Sequence, residues 1–157
     1  MRKTELVSYL KAHPVFSQLA AEHVELLAKR GGEQSFAAGE LLFRQQETAE
    51  QFFIVIEGTV KVEVPAIEGP VLEVQTLEHD DVLGWSWLIP PYKWTFEAKA
   101  ATDVTVLTFD GKALLKQCEK DNAFGYALMK LFAGLMSERL NAARQKMMDN
   151  WAPAGWA

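Results

Sequence analysis

The chain has 157 residues, 49% apolar and 24% charged, a balance that excludes a disordered protein and fits one domain burying roughly 68–70% of its unfolded surface. Its net charge of −5 repels a phosphate backbone at long range, and no basic cluster stands out to offset it. The single cysteine, Cys118, excludes an internal disulfide, a four-cysteine zinc site and an all-cysteine iron–sulfur cluster, and fits a reducing compartment.

The first residues, MRKTELVSYLKAHPVF, carry positive charge but no continuous apolar stretch, so they do not read as a secretory signal. No run approaches the ~20 apolar residues of a membrane span, and a cytoplasmic location is expected. Residues 1–32 read as a helical region: Leu6, Val7 and Leu10 have helical spacing, as do Val24, Leu26, Leu27 and Ala28 after a start near Ser17. His13-Pro14 interrupts the pattern, because the residue before a proline is pushed out of the helical region. Gly31-Gly32 ends it.

From 36 to 109 the chain changes to short β-rich runs at 41–43, 52–56, 60–64, 71–77 and 104–109. Turn residues separate them: Ala38-Gly39, Glu57-Gly58, Glu68-Gly69-Pro70 and His79-Asp80-Asp81. Val60, Val62 and Val64 alternate with Lys61 and Glu63, which predicts one buried and one wet face. No connection is long enough for a parallel crossover. The fold class expected is therefore mainly β with flanking helices (α+β): an antiparallel roll or barrel between N-terminal helices and a long C-terminal helix.

Asp110 can cap a short helix over 111–120, and Asp121-Asn122 can start a longer one reaching about 149. In that last helix Met129, Ala133, Met136, Leu140, Ala143 and Met147 form a heptad seam. Phe124, Leu128, Leu131 and Leu135 form a second apolar stripe beside it. The roll can cover only one stripe, so the seam predicts a two-fold homodimer; the bland alternative packs both stripes on the chain's own roll. The tail 151–157 is too short for a further domain.

The stretch Phe36-Ala-Ala-Gly39-Glu40-Leu-Leu-Phe43, followed by Phe52-Phe-Ile-Val-Ile56-Glu-Gly58-Thr-Val60, resembles the first half of a cyclic nucleotide-binding domain. The sensor domains of catabolite activator and fumarate–nitrate regulators are of this type. Helical segments like those at 14–19 and 24–28 also precede the roll in that family, and the likeness spans roughly 14 to 148. Gln46 and Asp80 occupy turn positions where the family often has glycine. The resemblance implies that the roll is an antiparallel jelly-roll, or double-stranded β-helix, with a ligand site in a phosphate-binding cassette, which in the family reads approximately Phe-Gly-Glu-Leu-Ala-Leu, a short loop, then Pro-Arg-Ala-Ala-Thr-Val. There, helix-start amides and an arginine hold the cyclic phosphate, and the glutamate accepts from the ribose.

Here the corresponding text runs Leu83-Gly84-Trp85-Ser86-Trp87-Leu88 and on through Lys93-Trp94-Thr95-Phe96-Glu97. Trp85 stands at the glutamate, Trp94 at the arginine and Glu97 at the threonine or serine. Losing a bidentate guanidinium and gaining a carboxylate argue against ordinary cAMP or cGMP binding, and no cofactor is expected. Four readings remain open. Lys93 can replace the charge; Gly84 and the amides of 85–88 can bind an anion at a helix start; Trp85, Trp87, Tyr92 and Trp94 can stack on a flat or cationic ligand; or the aromatics fill the pocket.

His13, His23 and His79 lack ligand spacing and read as surface or capping residues, so no metal is expected. Cys118 reads as a buried inert thiol. No phosphate-cradling or nucleophile-elbow motif occurs, and an enzyme is not expected. In regulators of the resembling type the long helix leads into a helix-turn-helix, which this sequence lacks, so direct DNA binding is not expected. The sequence thus predicts a stand-alone regulatory or sensor module of one domain (1–32 helical, 36–109 roll, 110–150 helices), a homodimer signalling through a partner protein, with a small-molecule effector. The alternatives are a ligand-free structural or interaction dimer, and a sensor of a different small ligand.

Overall fold

Leu6 and Leu10 lie one turn apart on α1 (Lys3–Ala12) and are both buried. Pro14 holds His13 in extended backbone at ψ 138°, which stops the helix. The computed structural model, which describes residues 1–65 and 71–151, has a 3-10 turn at Phe16–Gln18 and then α2 (Ala21–Ala28). The helix start expected near Ser17 therefore belongs to the 3-10 turn. Lys3 Nζ donates to the carbonyls of Ala28, Lys29 and Gly31 at 2.9, 3.2 and 2.7 Å, satisfying oxygens that the end of α2 leaves free. The expected turn at Glu68-Gly69-Pro70 and the tail after Trp151 lie outside the described residues.

The strands are β1 (Gly31–Phe36), β2 (Leu41–Phe43), β3 (Gln51–Glu57), β4 (Val60–Val64), β5 (Leu72–Leu77), β6 (Val82–Leu83), β7 (Glu97–Ala100) and β8 (Val104–Asp110). They build two antiparallel sheets, ordered β1-β8-β3-β6 and β2-β7-β4-β5. This is the jelly-roll that the resemblance implies, and it settles the roll-or-barrel choice that turn spacing leaves open. Three strands escaped the sequence reading. β1 is largely exposed and opens with two glycines, so it shows no apolar alternation. β6 is two residues long, and β7 buries only alanines, Ala98 and Ala100. Gln46 and Asp80 adopt φ 74° and 69°, so both turns keep the left-handed backbone that a glycine would supply.

Central strand β3 is buried on both faces: Phe52, Phe53, Ile54 and Val55 are at most 1% exposed. Phe53 points into the roll toward Phe43, 6.0 Å between ring centroids. Phe52 points the other way, stacking on Phe109 at 4.6 Å and meeting Phe132 edge-on at 5.1 Å. That outer face carries the helices. Asp110 accepts from the Ala113 N–H at 3.0 Å and caps α3 (Gly111–Lys120). Asp121 accepts from the Phe124 N–H at 3.1 Å and starts α4 (Asn122–Trp151), as its position predicts. Phe124, Leu128, Leu131 and Leu135 all enter the core, so this stripe is the one the chain covers itself.

A polar tie joins α1 to the turn before β6. His13 is buried and takes the capping role of the two expected: its Nδ1 accepts from the Val15 N–H at 3.0 Å and its Nε2 donates to the Asp80 carbonyl at 2.7 Å. The Tyr9 hydroxyl donates to the Asp80 carboxylate. Burial, then this hydrogen bond and the carboxylate charge, hold the Tyr9 phenol protonated well above its usual range. Above about pH 10 the unfolded chain therefore releases a proton that the native protein keeps, and stability falls as pH rises. Tyr9→Phe should cost about 1 kcal/mol at neutral pH and flatten that alkaline fall. Urea midpoints between about pH 8 and about pH 11 measure both, and an unchanged slope would place the phenol outside the tie.

Candidate effector-binding site

Gly84 leaves β6 at φ 100°, and the turn it makes sends the following tryptophans in different directions. Residues Ser86–Leu88 form a 3-10 turn of three residues. The helix start expected to present the amides of 85–88 to an anion is reduced to that turn. Trp87 enters the core at 1% exposure, 5.5 Å from Phe52 and edge-on to Phe132 at 5.3 Å, and its Nε1–H donates to the Gly84 carbonyl at 3.1 Å. Lys93 and Trp94 are neighbours in extended chain and face opposite ways. Lys93 is exposed, whereas Trp94 enters the roll and stacks on Phe43 at 3.8 Å.

Trp94 fills part of the roll, and a cavity of about 480 Å³ remains between the roll and α4. Of the expected cassette, Gly84, Trp85, Ser86, Trp94 and Thr95 line it. Trp87, Leu88, Lys93 and Glu97 do not, each for a visible reason. Trp87 and Leu88 pack with the core; Lys93 pairs outward with Thr48 in an isolated bridge; Glu97 sits on β7 opposite Glu63. The expected seam divides too. Met136, Leu140 and Ala143 line the cavity, while Met129, Ala133 and Met147 are exposed away from it.

The sequence reading missed Arg139 and Lys146, which also line the cavity. Helical spacing held the signal: Arg139 follows Met136 by three residues, and Lys146 follows Ala143 by three, so both share the seam face. The Arg139 guanidinium lies over the Trp85 ring, 4.9 Å from its centroid. Burial pushes its pKa down to about 10, with Asp81 and Glu138 opposing, so it is charged at neutral pH. Among the described residues it forms no ion pair and no carboxylate lines the cavity. The other walls are mostly apolar, with Phe43, Val62, Leu83 and Phe96 among them. A cationic ligand stacked on the tryptophans is disfavoured by these two positive charges.

Away from this cavity, the fold assembles a basic recess that the sequence reading did not see. Lys112, Lys116 and Lys120 recur one turn apart on α3, and Arg30 joins them from the end of α2. Cys118 is half-buried, and burial pushes its thiol up, away from thiolate. No group of metal-ligating residues occurs among the described residues, and no described helix is long and apolar enough to cross a membrane.

The family model of the cyclic nucleotide-binding domain matches residues 33–121, more than half of the chain. The chain belongs to the cyclic nucleotide-binding domain family. Solved structures agree on the fold. One is a protein of Geobacter metallireducens GS-15 described as cyclic nucleotide-binding, with 27% identity, a TM-score of 0.77, and coverage of 85% of this chain and 96% of that one. The regulatory domain of Toxoplasma gondii PKA, solved with cAMP, has 22% identity, a TM-score of 0.72, and coverage of 87% and 50%. The sensor domain of the transcriptional regulator DNR from Pseudomonas aeruginosa has 20% identity, a TM-score of 0.70, and coverage of 88% and 93%. Within this cyclic nucleotide-binding domain the matched span ends at Asp121, one residue before α4. Arg139 and Lys146 thus lie outside the family-defining part.

Proposed function

We propose that the chain is a regulatory sensor module, not an enzyme, in which a small effector held between roll and α4 sets the pose of α4 and so signals to a partner protein. The supporting observation is the shared wall: Trp85 and Trp94 come from the roll, Met136 and Arg139 from α4. A ligand touching both biases α4 by its difference in affinity between two poses. Cyclic nucleotide is not the effector in this reading. Trp94 is stacked on Phe43 where a phosphate-holding arginine would stand, and Trp85 replaces the ribose acceptor. A second copy of the chain covers the exposed apolar face of α4 in a two-fold dimer, through Met129, Leu140 and Met147.

Titration with cAMP and cGMP, followed by Trp85 and Trp94 emission, should show no saturable change up to about 1 mM, a binding free energy of about −4 kcal/mol. Met136→Trp places an indole in the cavity and should act as a built-in occupant, slowing amide exchange along 136–148. Unchanged exchange there would remove the coupling on which the reading depends. Met129→Glu with Met147→Glu, both outside the cavity wall, should bring the mass in solution from dimer to monomer.

A further inference from the structure

We infer that the cavity takes an amphipathic organic anion, an apolar body carrying a single carboxylate or similar group, whose charge is met by Arg139 of α4. This rests on reading the cavity as the effector site. Among the described residues its lining holds two positive side chains, Arg139 and Lys146, and no negative one, in a chain of net charge −5. A neutral ligand would leave the half-buried guanidinium with no ion pair in contact, only the more distant carboxylates of Asp81 and Glu138, a costly arrangement for a partly desolvated ion. A carboxylate supplies two acceptor oxygens for its planar fork of donors.

The position of the guanidinium defines the geometry. Its carbon lies over the Trp85 ring, 4.9 Å from the centroid, which places the positive charge at the wall that roll and α4 share. The rest of the ligand meets the flat stack of Trp94 on Phe43, and Val62, Leu83 and Phe96. Polar partners there are few, namely Gln75, Ser86 and Thr95. That favours one charged head on an apolar body over a ligand polar on all sides. The charge is then held by the moving element, α4, and not by the cassette. An anion therefore draws α4 toward the roll, and a neutral ligand of the same shape does so less.

Two probes with the same aromatic body separate charge from shape: anilinonaphthalene sulfonate, an anion, and phenylnaphthylamine, which is neutral. Each is titrated by its own fluorescence into the wild type, Arg139→Gln, Arg139→Lys and Met136→Trp. The anion should bind at one site per chain and more tightly than the neutral probe. Arg139→Gln should weaken the anion about ten- to hundredfold and leave the neutral probe unchanged. Removing an unpaired desolvated charge does not endanger the fold, and Arg139→Lys should retain part of the preference. If both probes bind alike and Arg139→Gln changes neither, while Met136→Trp blocks both, the anion class is wrong and the cavity reading stands. If Met136→Trp blocks neither, the cavity is not the site and the reading beneath this inference fails with it.

Discussion

Trp87→Ala should cost about 3–5 kcal/mol, a large part of the roughly 5–15 kcal/mol that holds a domain folded. The indole is 1% exposed and joins three elements: it stacks beside Phe52 of β3, meets Phe132 of α4 edge-on, and lies against Gly111 at the start of α3. A Cβ on Gly111 would come within 2.8 Å of the ring, so the backbone has closed onto it. Truncation opens a void where roll and helices meet, and neither can collapse without shifting the other. The Gly84 carbonyl also loses the Nε1–H donor at 3.1 Å. Trp87→Phe keeps most of the packing and should cost about half as much. Urea unfolding measures both, and a loss under about 1 kcal/mol for the alanine variant would take Trp87 out of the core.

The tryptophans show where sequence reading stops. The family resemblance marked 83–97 as the cassette, but the direction of each ring depends on the local backbone, φ at Gly84 and the 3-10 turn after it among the causes, which composition does not encode. Trp85, Trp87 and Trp94 therefore looked alike and proved to be cavity wall, core and roll filling. Valine alternation and turn residues located β4 and the sheet class, because those signals are local. β1 and β7 lacked them: one is an exposed glycine-led strand, the other small alanines packed between neighbours. The apolar seam of α4 was plain, but its partner was not. Periodicity says that a face is covered and not by what, and the middle of this face borders the chain's own cavity. Arg139 went unnoticed because a charge on an apolar face looks like an interruption until the fold supplies Trp85 beneath it.

Gly84→Ala and Gly39→Ala share one cost and differ in another, so the pair isolates how tightly the cavity wall is built. Both glycines have left-handed backbone, φ 100° and 93°, and alanine at either should pay about 1–2 kcal/mol of strain. Around Gly39 nothing lies within 4 Å of an added Cβ, so strain is the whole expected effect there. At Gly84 the methyl would stand 2.7 Å from the Trp94 ring, and overpacking should add about 1–3 kcal/mol. Trp94 is stacked on Phe43 at 3.8 Å and lines the cavity, so a displaced ring disturbs both the stack and the cavity wall. Gly84→Ala should then lose both stability and uptake of the anionic probe, whereas Gly39→Ala should lose stability alone. Placing Gly84→Ala on a Trp94→Phe background should return most of the extra loss, since the two sites are in contact and their effects do not add. Equal losses at the two glycines would show that Trp94 moves freely, and a freely moving indole cannot shape a cavity that selects its ligand.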